Sequence, residues 1–109
     1  MDVNGNYEYF ELNGVVEIGV PVKFDMSQNY PNPFNPVTKI NFDLPVDSKI
    51  TMVVYDVTGK EIAKIVNNEF RKAGYHTVQF NGSGFSSGVY FYSIKTDKNV
   101  MTKKMLLVK

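Results

Sequence analysis

"VTKINFDLP", residues 37–45, decides the fold class. Thr38, Ile40, Phe42 and Leu44 fall on one side of an extended chain, with Lys39, Asn41 and Asp43 on the other. Strand side chains alternate between two faces, so this pattern predicts a strand with one face in a core. Pro45 closes the segment, because it has no N–H to give to a ladder.

The same reading extends along the chain. "KITMVVYDV", residues 49–57, alternates Ile50, Met52 and Val54 against Thr51, Val53 and Tyr55. Both of its faces are apolar, which predicts a central strand. "KEIAKIV", residues 60–66, follows a turn at Thr58-Gly59, where Gly59 can take a positive φ. Asp56 is expected to accept hydrogen bonds from that turn. "YHTVQFNG" sets His76, Val78 and Phe80 against Tyr75, Thr77 and Gln79. The glycine-rich "NGSGFSSGVY", which includes Gly88, reads as a corner loop; no helix follows, so it is not a phosphate cradle. "GVYFYSIKT" and "NVMTKKMLLVK" flank a polar hairpin tip at Asp97, Lys98 and Asn99. In the last strand Val100, Thr102, Lys104, Leu106 and Val108 share one parity, and Met105 and Leu107 take the other. Either a bulge shifts that register or both faces are covered. Helical periodicity is sustained nowhere, and turn signals recur about every ten residues. The prediction is an all-β, immunoglobulin-like antiparallel sandwich of about seven strands.

Composition bounds the function. The chain has 109 residues, a size for one domain, and a net charge of +1. Such a balance gives no bulk attraction to nucleic acid or anionic lipid. There is no cysteine, which excludes disulfides, redox pairs and thiolate zinc. No apolar run has the length of a membrane span. "MDVNGNYEYF" has neither the basic start nor the apolar stretch of a signal peptide. With one histidine, His76, a triad or multi-histidine metal site is hard to build. His76 reads as a strand residue near the sheet rim. Asp2, Asn4 and Asn6 have calcium-loop spacing, but Tyr7 and Asn13 stand where the loop needs glycine and glutamate, so a turn is expected. The seven tyrosines and eight phenylalanines read as core and cross-strand pairs rather than a sugar-stacking platform. No catalytic residue, metal or cofactor is expected.

"NYPNPFNP", residues 29–36, interrupts this pattern. Pro31, Pro33 and Pro36 cut the freedom of the unfolded chain and bias Tyr30, Asn32 and Asn35 toward extended conformations. Tyr30 and Phe34 are expected to anchor the block on the sandwich. Two readings stand: a stiff first turn with no partner, or a surface that a partner reads through Tyr30, Pro31, Asn32, Pro33 and Phe34.

"SQNYPNPFNPVTKINFDLP", "VVYDVTGKEIAKIV" and "SGVYFYSIKTDKNVMTKKMLLVK", in this order and spacing, resemble the type A C-terminal sorting domain of the type IX secretion system. The resemblance implies a folded, non-enzymatic export address at the end of a cargo protein. It implies recognition by an outer-membrane translocon, cleavage upstream by a sortase-like protease, and delivery to the cell surface or the medium. It also favours Lys103, Lys104 and Lys109 as charges read by the machinery, over a last strand whose lysines are only solvated. Lys109 is then expected to be the protein's own end. The alternative function is a surface-displayed immunoglobulin-like module that binds carbohydrate or protein.

Residues 1–20 depart from the pattern and read as the tail of an upstream β module or as extra strands. Residues 21–28 read as a linker, and 29–109 as the sorting domain. Upstream strands cut from their module would leave an unpaired edge, open to the sandwich or to a second copy of the chain.

Overall fold

A computed structural model of the protein describes residues 20–109. The Asp2, Asn4 and Asn6 spacing and segment 1–19 of the expected upstream tail lie outside those residues. Seven strands form: β1 (Asp25–Met26), β2 (Val37–Leu44), β3 (Ser48–Tyr55), β4 (Glu61–Arg71), β5 (Gly74–Asn81), β6 (Gly88–Lys95) and β7 (Val100–Leu107). They make two antiparallel sheets, ordered β1-β2-β5 and β4-β3-β6-β7. The expected sandwich is therefore present, with the fourth strand on the second sheet beside β3.

The alternation in "VTKINFDLP" has its physical outcome in β2. Thr38, Ile40, Phe42 and Leu44 are buried, while Lys39 and Asn41 are exposed. Val78 and Phe80 of β5 extend that apolar face. The second sheet answers with Ile50, Met52 and Val54 of β3, Tyr90, Tyr92 and Ile94 of β6, and Met105 and Leu107 of β7. β3 is central, and Val53 on its other face is buried as well.

Turn chemistry fixes the β3–β4 hairpin. Asp56 Oδ1 accepts from the Thr58 amide at 2.9 Å, the Thr58 hydroxyl at 2.6 Å and the Lys60 amide at 3.1 Å. The Thr58 hydroxyl above all holds the Asp56 carboxyl below its ordinary pKa. Gly59 sits at φ +87°, where a side chain would be strained. At the β6–β7 tip, the Thr96 hydroxyl accepts from the amides of Lys98 and Asn99. His76 lies on β5, its ring stacked on Phe42 with centroids 5.1 Å apart and its Nε2 2.7 Å from the Lys72 carbonyl.

Four details differ from the sequence reading. β4 runs on to Arg71, past the expected end at Val66, through an irregular register with β3 in which Asn68 takes φ +49°. The β6–β7 register is unbroken from Gly88↔Leu107 to Lys95↔Val100, so no bulge resolves the parity conflict of the last strand. Nor are both faces covered: Met105 and Leu107 are buried, while Val100, Leu106 and Val108 stay exposed. Gly88 is the first residue of β6, opposite Leu107, rather than part of a turn. Within 21–28, read as a linker, Asp25 and Met26 pair with Asp43 and Phe42, and Met26 is buried in the core.

Candidate recognition surface along the C-terminal strand

β7 pairs with β6 on one side only, so its other side is a sheet edge. Unpaired edges offer backbone groups to any passing strand, and proteins cover them. Here the proline block is the cover. The Gln28 side-chain amide donates to the Lys104 carbonyl at 2.6 Å. The Leu106 amide donates to Asn32 Oδ1 at 3.0 Å. The Phe34 amide donates to the Leu106 carbonyl, and the Val108 amide to the Phe34 carbonyl, both at 2.9 Å. Phe34 thus forms a parallel bridge with Leu107. The cover is itself safe from further pairing, because Pro31 and Pro33 have no N–H to offer.

Three contacts hold this strap in place. Phe34 is buried, its ring edge-on to Phe80 at 6.1 Å. Gly82 makes room for it: a Cβ there would come within 3.3 Å of the Phe34 ring and 3.2 Å of Leu107. The Gly82 amide also donates to the Pro36 carbonyl at 2.7 Å. Tyr30 is tied through its backbone, by two 2.9 Å bonds with Lys39.

A buried polar cluster makes the third contact. The Tyr92 hydroxyl reaches from the second sheet, donates to the Ser27 carbonyl and accepts from the Asn29 amide, both at 2.8 Å. Asn29 Nδ2 donates to Thr38 Oγ1 at 3.0 Å and to the Pro31 carbonyl at 3.1 Å. Thr38 Oγ1 donates to that same carbonyl at 2.9 Å. Burial raises the Tyr92 pKa from 10.0 to about 12, against the lowering effect of the Asn29 amide.

That shift has a defined sign. Between pH 10 and 12 the folded protein keeps a proton that the unfolded chain has lost. The contribution is complete below pH 10 and disappears as the pH rises through about 12. Urea unfolding across this window should show falling stability, and in Tyr92→Phe that part of the slope should vanish. The variant should also lose about 1–3 kcal/mol at neutral pH, because the Asn29 amide is left buried without an acceptor. An unchanged alkaline slope in Tyr92→Phe would assign the effect to another group.

The sequence profile of the secretion system C-terminal sorting domain matches residues 28–109, from the strap to the last strand. The chain belongs to that family. A search of curated proteins finds no match. The sorting domain is a secretion signal of the type IX system; it engages that machinery and directs export across the outer membrane to the cell surface or extracellular space. The family acts as an address and not as a catalyst.

The residues expected to be read by the machinery fall into two groups in the sorting domain. Pro31, Asn32, Pro33 and Lys104 are exposed, and with Leu106 they lie along one edge. Asn32, Val89, Lys104, Met105 and Leu106 line a shallow groove of about 180 Å³ there. Tyr30 does not anchor the block: its ring is 80% exposed, because the inward position of this extended segment goes to Asn29. Phe34 is the anchor. The three lysines do not form one patch. Lys103 is half-buried on the parity of Met105, Lys104 lies on the opposite face, and Lys109 Nζ donates to the Ser83 carbonyl at 2.6 Å. Sequence reasoning missed Asn29, Gly82 and Tyr92. Tyr92 was within reach of it, since a tyrosine on the parity of Tyr90 and Ile94 carries a hydroxyl that needs a partner when buried.

Proposed function

We propose that the type IX machinery reads this sorting domain as a folded object, at the surface where the strap meets β7. The observation that carries the reading is the bridge between Phe34 and Leu107. It joins the two stretches that the sequence sets apart as candidate signals, so each is presented only when the other is in place. Tyr30, Pro31, Asn32, Pro33, Lys104 and Leu106 are the side chains a translocon subunit would meet. Phe34 positions them from beneath, and Lys109 acts through its hold on the 82–87 loop.

Tyr30→Ser with Lys104→Gln tests this. Both side chains are exposed, so the melting temperature should stay within a few degrees of wild type. A reporter carrying a signal peptide and the variant domain should then fail to reach the surface. Normal display with normal melting would remove both residues from the recognition surface.

We place the boundary between domain and cargo on the N-terminal side of Phe24, because Phe24 packs against the core and Met26 is buried within it. A sortase-like protease needs an extended, accessible segment. Its cut should therefore precede Phe24, and N-terminal sequencing of the released tail checks this; a first residue after Phe24 would refute it. The domain itself has no hydrolytic activity in this reading and uses no cofactor.

A further inference from the structure

The sandwich has four strand edges, and they are not treated alike. β7 is covered by the strap, and β1 is two residues long. β4 is long, but it carries Glu61, Lys64, Glu69 and Arg71, and its pairing with β3 is irregular around Asn68. Charges, short length and bulges are the usual ways of blunting an edge. β5 has none of them. Its eight residues, "GYHTVQFN", contain no Lys, Arg, Asp, Glu or Pro. Its register with β2 is unbroken from Leu44↔Gly74 to Val37↔Asn81. Among the described residues, no backbone hydrogen bond outside the ladders reaches Gly74–Asn81.

We propose that β5 is a self-pairing edge, through which two copies of this chain join as a two-fold dimer. A symmetric antiparallel pair centred on Val78 sets Thr77 opposite Gln79 of the second copy on the exposed face. His76 then faces Phe80 on the core face, and Tyr75 faces Asn81. No like charges meet in this register, and Tyr75, already 63% exposed, gains a partner surface. The three-stranded sheets would join into one six-stranded sheet, an isologous contact that closes on itself. The strap closes the β7 edge of the second sheet and not the β5 edge, so both stay accessible in such a dimer.

The register makes the test specific. Thr77→Lys with Gln79→Lys places lysine opposite lysine twice per dimer. Thr77→Glu with Gln79→Lys, at the same exposed positions, places glutamate opposite lysine twice. Both lose the Thr77 hydroxyl bond to Asn41 and set a lysine opposite Lys39 within the chain, and a melt confirms that each is folded. Sedimentation equilibrium of the full chain over a concentration series is the readout. Wild type should dimerise, the double-lysine variant should dissociate at least about tenfold more readily, and the glutamate–lysine variant should recover pairing. A wild-type chain that stays monomeric at millimolar concentration overturns the proposal. So does a dimer that both variants leave unchanged, or one that both abolish.

Discussion

Phe34→Ala is expected to cost the domain about 3–5 kcal/mol, the range for emptying a well-packed aromatic site. The ring is 1% exposed and rests against Phe80, beside Gly82 and Leu107. Its loss leaves a cavity between the sheets at one end of the core. It also frees the strap, since the flanking backbone bonds to Leu106 and Val108 depend on where the ring sits. A domain of this size has about 5–15 kcal/mol in all, so the variant should be marginal at growth temperature. Urea unfolding measures the loss directly. Phe34→Leu, which refills much of the space, should lose clearly less. A loss below about 1 kcal/mol for Phe34→Ala would mean that the ring is not what holds the strap.

Removing Met105–Lys109 should have a larger effect and abolish cooperative folding. Only Met105 and Leu107 of this segment are buried, at 1% exposure each, while Leu106 and Val108 are 37% and 45% exposed. Two buried apolar side chains at about 1.5–3 kcal/mol each give roughly 3–6 kcal/mol. The deletion also takes away the backbone partners of Asn32 and Phe34 and the ladder that covers the start of β6. Together these losses approach the whole stability of a small domain. Circular dichroism during heating should show no sharp transition for the truncated chain. A cooperative melt within a few degrees of wild type would show that β7 is peripheral to the fold.

Period-two alternation made much of the fold legible. β2, β3 and β5 each bury the face that their apolar positions mark, because a residue's parity decides which side of a sheet it takes. Asp56 and Gly59 were legible for another reason: local turn chemistry depends on a few adjacent residues. The candidate site was legible only in its parts. That Gln28, Asn32 and Phe34 lie along Lys104–Val108 depends on sheet order, a long-range property that strand patterns do not encode. The aromatic character of Tyr30 points it inward, whereas the alternation of the segment gives the inner position to Asn29. The last strand misled for a similar reason. Leu106 and Val108 are apolar but lie on the outer face, and only the unbroken register with β6 shows it.

The strap and β7 complete each other, and β7 is translated after the strap. Asn32 and Phe34 leave the ribosome some seventy residues before Leu106 and Val108, and until then they have no edge to close. A product that stops before Leu106 and Val108 therefore has an unfinished sandwich rather than a slightly weaker one. If export depends on the finished shape, the sorting domain reports whether β7 has been made and docked. Cargo without β7 would then stay behind because it lacks the shape that is read, not because one residue of a signal is missing.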